Sequence, residues 1–340
     1  MPVTWEPDVL DGYLRQTIDL GIDPDGEGVI TATLVRPEIQ PENGRAVLMV
    51  HGYTDYFFHT ELAEHFLARG YRFFALDLRK CGRSRHEHQT PHYISDLSLY
   101  DAELNAAIAI INGEAGGDTS EAPILVYGHS AGGLIVSLWL NRLRVSDRLG
   151  RIAGLILNSP WLDLQGRPFL RSGGTTAAVK AISRFRAKQA IPLPHEGAYG
   201  ASLHKDFHGE FDYNLEWKPV GGFPVRFGWI SAIRRGHAEL HRGLDVGVPN
   251  LILRSDRSLP GDIDPAVALQ GDVVLDVQQI ARWAGCIGND QRVVPIPGAK
   301  HDVFLSVAQS RARVYPRFLQ LGYARDMGTR CPRWLPSTDH

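Results

Sequence analysis

The segment with the plainest chemical capability is Gly128-His129-Ser130-Ala131-Gly132, a G-x-S-x-G pattern. It follows the apolar run Ile124-Leu-Val-Tyr127 and opens the helix-period stretch Ala131–Val145. A serine held between a buried strand and a helix in this way sits on a sharp, strained turn that pushes its hydroxyl into a cleft. The flanking glycines are required because side chains at 128 and 132 would collide with adjoining segments. Such a hydroxyl is a nucleophile for acyl transfer once a base accepts its proton. A serine that merely caps a helix between two turn glycines is the plainer alternative. The strand before it and the apolar helix after it favour the nucleophile.

Fourteen histidines could supply the base, so position must decide. His301 lies in the turn Gly298-Ala-Lys-His301-Asp302, after the strand-like Arg292–Ile296 and before the last helical pattern. Apart from the terminal His340 it is the only histidine beyond that strand, and it completes the chain order serine, acid, histidine. The acid should follow the preceding strand, Asn250-Leu-Ile-Leu-Arg254. That loop is long and offers Asp256, Asp262, Asp264, Asp272 and Asp276. Upstream, His51-Gly52-Tyr53 closes another apolar strand. A turn there can aim the Tyr53 backbone N–H at the same point as that of Ala131, giving two donors for a tetrahedral oxyanion.

The elements that must hold these residues alternate along the chain. Strand-length apolar runs occur at 28–36, 46–51, 72–78, 124–127, 152–158, 249–254 and 292–296, with a further edge candidate at 13–20. Helical periodicity falls at 60–69, 96–112, 131–145, 275–284 and 303–319. Continuous apolar runs are expected of parallel strands covered on both faces. The reading is an α/β fold with an eight-stranded, mostly parallel sheet and helices on both sides.

From 161 to 241 the alternation breaks down and aromatics become dense, 11 in that stretch. Because ligands of open α/β sheets bind beyond the strand C-termini, where this stretch begins, it is read as a lid over an apolar pocket. A second small core is the alternative use of such aromatics. The expected organisation is a first core part at 1–160, a lid at 161–241, a second core part at 242–325 and a C-terminal tail at 326–340.

Bulk properties exclude several classes. A net charge of −2 and a pI near 6.7 give no electrostatic footprint for nucleic acid. Three scattered cysteines, Cys81, Cys286 and Cys331, suit neither a disulfide framework nor a zinc site, so a reducing, cytoplasmic location is expected. The first residues lack the basic and apolar regions of a signal peptide, and no run approaches the ~20 apolar residues of a membrane span. The pairs His204/His208 and His237/His241 have helical spacing but no third ligand, so no metal and no cofactor are expected.

These residues together resemble a known group. His51-Gly52, Asp77-Leu-Arg79-Lys80-Cys81-Gly82-Arg83-Ser84, Gly128-His-Ser-Ala-Gly132, Asp272-Val-Val-Leu-Asp276 and Gly298-Ala-Lys-His301 are similar to motifs of the α/β-hydrolases, in particular the monoacylglycerol lipases, lysophospholipases and serine aminopeptidase-like hydrolases. The likeness covers about 45–160 and 245–320 and is weaker in between. It implies the α/β-hydrolase fold, Asp272 as the acid of the triad, and hydrolysis of lipophilic carboxylic esters without a cofactor. Spacing agrees with Asp272. It stands 29 residues before His301, about what a short helix, a strand and two turns occupy, with 257–271 as an insertion that leaves the strand end and returns. Asp256, immediately after the strand, remains the competitor.

The expected catalytic set is therefore Ser130, His301 and Asp272, with Tyr53 and Ala131 as oxyanion donors and a small-molecule ester and water as partners. The same machinery could act on amides or peptides or transfer an acyl group. A non-catalytic binding module would be expected to show a broken triad.

Overall fold

The computed structural model describes residues 4–41, 44–114, 122–166, 168–192 and 197–320. Nine strands form one sheet: β1 (Glu6–Pro7), β2 (Tyr13–Ile22), β3 (Val29–Pro37), β4 (Ala46–Val50), β5 (Arg72–Asp77), β6 (Ile124–His129), β7 (Ile152–Asn158), β8 (Asn250–Ser255) and β9 (Gln291–Ile296). Their order is β1-β2-β3-β5-β4-β6-β7-β8-β9. The first three strands pair antiparallel at one edge and β3 meets β5 antiparallel. From β5 to β9 every pairing is parallel.

The central strands explain the continuous apolar runs. Leu48, Val50, Phe74, Leu76 and Val126 belong to one core, while their chain neighbours Val47, Met49, Phe73, Ala75, Leu125 and Tyr127 belong to a second. Successive side chains of a strand point to opposite faces, so a strand covered on both sides must be apolar throughout. The first core is roofed by α2 (Asp101–Glu114), α3 (Ala131–Val145) and α6 (Phe227–Leu240), through residues such as Leu104, Leu134, Leu138 and Ile233. The second lies under α1 (Thr60–Leu67) and α8 (Ala308–Gln320), through Leu62, Phe66 and Val314. Truncating a fully buried side chain such as Phe73 to alanine would cost about 3–5 kcal/mol.

Two details differ from the sequence expectation. Among the described residues the sheet has nine strands rather than eight. The extra strand, β1, is two exposed residues held by pairing with Leu14 and Arg15, too short for periodicity to register. Among its described residues, the stretch that looked irregular also contains three helices between β7 and β8: α4 (Gly173–Arg186), α5 (Ala198–Leu203) and α6. The remaining helix, α7 (Val277–Trp283), links β8 to β9. The tail expected from residue 326 lies outside the described residues.

The parallel strands all end on one side, and the loops leaving β4, β6, β8 and β9 carry Tyr53, Ser130, Asp272 and His301 respectively. The C-terminal edge of an open α/β sheet is where ligands bind.

Candidate active site

Ser130 sits between β6 and α3 with φ 51° and ψ −120°, a left-handed backbone that a non-glycine residue adopts only under tertiary constraint. Its N–H donates to Asn158 O (3.0 Å), and its carbonyl accepts from Gly133 N and Trp161 N, both at 3.0 Å. The turn is thus stitched to the end of β7. The glycines on either side are sterically obligatory. A Cβ on Gly128 would lie 2.7 Å from Val136 Cγ2, and one on Gly132 would lie 2.3 Å from the carbonyl oxygen of His51.

That second approach brings the start of α3 against the end of β4. Gly52 lies over the turn of Ser130, where an added Cβ would be 3.0 Å from Ser130 Cβ. His51 shapes this loop: Leu78 N donates to its Nε2 (3.1 Å), and its Nδ1–H donates to Gly52 O (2.8 Å). Both contacts fit a single neutral tautomer. Tyr53 and Ala131, the expected oxyanion donors, therefore belong to two backbone segments that touch beside Ser130.

The acid loop places its aspartates in different jobs. Asp272 is fully buried, with Oδ2 2.9 Å from His301 Nδ1 and Oδ1 accepting from Val274 N and Leu275 N at 2.8 Å each. The chain leaves β8 through Arg257, loops out, and returns so that Asp272 N donates to Arg257 O (3.0 Å) and Leu259 N donates to Asp272 O (2.7 Å). Asp256 faces Arg257 and accepts from Gly298 N (2.9 Å), bracing the histidine turn rather than the imidazole. Asp264 accepts from Ala266 N (2.8 Å), and Asp276 caps α7 by accepting from Gln278 N (2.9 Å). With Nδ1–H committed to Asp272, a neutral His301 offers Nε2 as a proton acceptor.

Ser130 and His301 line one cavity of about 260 Å³. Tyr53, Trp161, Phe223 and Trp229 supply its aromatic wall, Tyr53 and Trp229 having ring centroids 4.0 Å apart. Asp55, Lys218 and Tyr199 supply a more polar part. Trp161, Gln165, Tyr199, Lys218 and Trp229 all come from the segment between β7 and β8. Lys218 Nζ is 2.8 Å from Asp55 Oδ1. Burial opposes charge on Asp55, but Lys218 and the neighbouring histidines outweigh it and hold the carboxyl below its usual range.

Behind the cavity lies a buried network with no signature in the sequence. Asp302, the residue after His301, accepts from Asn158 Nδ2 (2.7 Å) and Phe304 N (2.9 Å), and its Oδ2 is 3.0 Å from His59 Nε2. Burial works against its charge, yet His129, His59 and Asn158 together hold it well below the carboxylate range. Burial pushes the neighbouring His129 down to about 4, so it is neutral and donates its Nδ1–H to Asn158 O (3.0 Å). These residues fix the turns carrying Ser130 and His301. Only the adjacency of His301 and Asp302 could have hinted at them.

The motif Asp77–Ser84 is structural. Asp77 accepts from Phe57 N (2.8 Å) and Arg83 N (3.1 Å) and pairs with Arg83, tying the loop after β5 to the one after β4. Lys80 has left-handed backbone (φ 60°) and is buried against Asp23 (2.6 Å) and Glu27 (3.0 Å). Cys81 Sγ lies 3.2 Å from His92 Nδ1, and burial pushes its thiol up. His237 on α6 and His241, the C-cap of that helix, donate to the carbonyls of Trp161 (2.9 Å) and Leu162 (2.8 Å), pinning the chain beyond β7 to it. Of the other pair, His204 is within 3.2 Å of Tyr213 O.

A parallel-centred sheet with a strained strand-to-helix serine at its C-terminal edge, sharing a cavity with a histidine bonded to a buried aspartate, defines the α/β-hydrolase class. Within it, residues 41–256 match the family described as serine aminopeptidase, S33, and the chain belongs to that family. It is 24% identical over 273 residues to a monoacylglycerol lipase of Mycolicibacterium smegmatis, covering 79% of this chain and 84% of that one. Its fold is similar to a soluble variant of the Saccharomyces cerevisiae monoglyceride lipase (TM-score 0.60, 17% identity, 97% of this chain and 96% of that one). It is also similar to a thermostable carboxyl esterase of Bacillus coagulans (TM-score 0.61, 14% identity, 90% and 97%).

Proposed function

We propose that this protein is a serine hydrolase of carboxylic esters with a lipophilic acyl group. The observation that carries the reading is the 2.9 Å contact between His301 Nδ1 and Asp272, with His301 and Ser130 lining one aromatic-walled cavity. Ser130 Oγ attacks the ester carbonyl as its proton passes to His301 Nε2, and Asp272 supports the imidazolium. The N–H groups of Tyr53 and Ala131 hold the oxyanion; one such donor can be worth ~3 kcal/mol. His301 then protonates the departing alcohol, leaving an acyl-enzyme on Ser130. Water, deprotonated by His301, attacks the acyl carbon. Collapse frees the carboxylic acid and restores the serine hydroxyl. No cofactor or metal is required by this sequence of steps.

Residues 161–241 act as a lid, and its cavity-lining aromatics Trp161, Tyr199, Phe223 and Trp229 receive the acyl chain. The free, buried Cys81 suits a reducing compartment, and the cytoplasm is the proposed location. The family description also suggests an aminopeptidase, which must hold a substrate ammonium. Among the described residues lining the cavity Asp55 is the only acid, and it is paired with Lys218, so the ester reading is favoured.

The test is a panel of p-nitrophenyl esters from acetyl to decanoyl, monoacylglycerols and aminoacyl anilides. Burying each added methylene contributes up to about 0.8 kcal/mol, so kcat/KM should climb as much as fourfold per carbon and then level off once the cavity is filled. Aminoacyl anilides turned over faster than every ester would overturn the proposal. A flat profile would remove the acyl-pocket role of the lid.

A further inference from the structure

Asp272 is not the only carboxylate buried beside the base. Asp302, the next residue after His301, is also fully buried. Its Oδ1 accepts from Asn158 Nδ2 and Phe304 N, both neutral donors. Among the described residues its ion partners are two imidazoles, with Oδ2 3.0 Å from His59 Nε2 and 3.9 Å from His129 Nε2. Neither ring cancels its charge. His59 Nδ1 is buried and has no hydrogen-bond partner. A second ring proton there would leave a charged donor unpaired in the interior, which is a costly arrangement. His59 is therefore the neutral tautomer with its proton on Nε2. His129 is neutral as well, with its one N–H spent on Asn158 O. Asp302 keeps a whole negative charge inside the protein.

That charge lies where the proposed reaction creates a positive one. The His129 ring, whose Nε2 faces Asp302, has its centroid 4.8 Å from that of His301. The other polar groups around the pair are committed elsewhere. Asp272 is bonded to His301 Nδ1, and Asp55 is paired with Lys218. Lys300 Nζ donates to Ser202 O (2.6 Å), and the Tyr199 hydroxyl accepts from Asp302 N (3.2 Å).

We infer that Asp302 is a positioning residue that acts by charge: its buried carboxylate stabilises the imidazolium formed on His301, beside the direct hydrogen bond from Asp272. Asp302 has this part only if Ser130 and His301 act as proposed; the identity of the ester does not enter. The fold has room for the neutral variant. In Asp302→Asn the amide oxygen can keep Asn158 and Phe304, and the amide nitrogen meets His59 Nε2. His59 can then move its proton to Nδ1, which has no partner to lose, and accept at Nε2.

The experiment follows the rate at which a fluorophosphonate labels Ser130 from about pH 8 to about pH 5, with a thermal melt of each variant. Asp302→Asn should stay folded and label roughly tenfold more slowly at the upper end. The acid fall in its rate should come about one pH unit lower, so that the two rates converge in acid. This is the size expected when a unit charge several ångströms from the imidazolium is removed. Asp302→Ser, which removes the charge without an amide, should move the acid limb the same way. His59→Gln, whose amide can donate in place of Nε2–H, should leave the limb where it is. A limb unmoved in both Asp302 variants, whatever their rates, would make Asp302 a structural brace and overturn the proposal. So would a limb that rises in His59→Gln, because His59 would then be the cation that cancels Asp302. Hydrolysis of p-nitrophenyl esters, run in parallel, separates this from the ester reading. Shifted labelling limbs with no ester turned over would overturn the ester reading alone, whereas a wild type that takes no label on Ser130 would overturn both.

Discussion

Replacing Asp272 by asparagine changes one atom, and the structure states what that atom does. Oδ1 is held by the N–H groups of Val274 and Leu275, so an asparagine that keeps those bonds must place its amide nitrogen where Oδ2 stood, 2.9 Å from His301 Nδ1. Two donors cannot face each other. His301 would adopt the other tautomer, with the proton on Nε2, and could no longer accept one from Ser130. The expected loss in kcat is about 10⁴-fold, or about 5.5 kcal/mol of transition-state stabilisation. Folding should change far less, by about 1–2 kcal/mol, because the loop's backbone hydrogen bonds survive. The assay is steady-state hydrolysis of an activated p-nitrophenyl ester beside a thermal melt, with Asp256→Asn in parallel. Asp256 braces Gly298 N and pairs with exposed Arg257, so its variant should lose less than about tenfold, as expected of a contact outside the reacting groups. An Asp272→Asn enzyme within tenfold of wild type, or the reverse ranking of the two variants, would refute the tautomer argument and move the acid elsewhere.

Gly132→Ala should lower stability by at least about 3 kcal/mol, because its Cβ would press on the backbone carbonyl of His51 at 2.3 Å; a soluble variant with a wild-type melting curve would contradict the contact. Acid should weaken the fold before any carboxylate matters. His129 and His237 are buried and pushed by burial to about 4 from an ordinary 6.5, so between those values the unfolded chain binds more protons and stability falls as pH falls. At about 1.4 kcal/mol per unit per group, these two histidines should together lower the stability from urea unfolding by roughly 4 kcal/mol between pH 7 and pH 5, with His65 and His92, also pushed down by burial, adding to the fall; His237→Gln, which can still donate to Trp161 O, should remove about 2 kcal/mol of it. Identical stabilities at pH 7 and pH 5 would count against both assignments.

The readable parts of the sequence were those where local pattern and tertiary role coincide. β4, β6 and β7 are covered on both sides and must be apolar throughout, so their runs stand out. Gly128-His-Ser-Ala-Gly132 is readable because its glycines are demanded by contacts under 3 Å. The helices between β7 and β8 were obscured for two reasons. α4 buries nothing, so its periodicity does not mark a core face. α6 does bury a face, through Trp229, Ala232, Ile233, Gly236 and Leu240, but Arg234 and His237 are buried with it and interrupt the pattern. That 3.6-residue spacing was present and could have been found. The support around the site was not legible, because His59, Asn158 and Asp302 meet across 243 and 144 residues of chain, and sequence spacing holds no record of such meetings.

The central claim is that Ser130 is the nucleophile, and covalent labelling tests it most directly. Incubating the protein with a fluorophosphonate and mapping the adduct by peptide mass spectrometry should find one modified residue, Ser130. Ser130→Ala should take no label, keep the wild-type melting temperature and lose roughly 10⁴–10⁶-fold in kcat. A label on a different serine, or an alanine variant that hydrolyses the ester at near wild-type rate, would contradict the account.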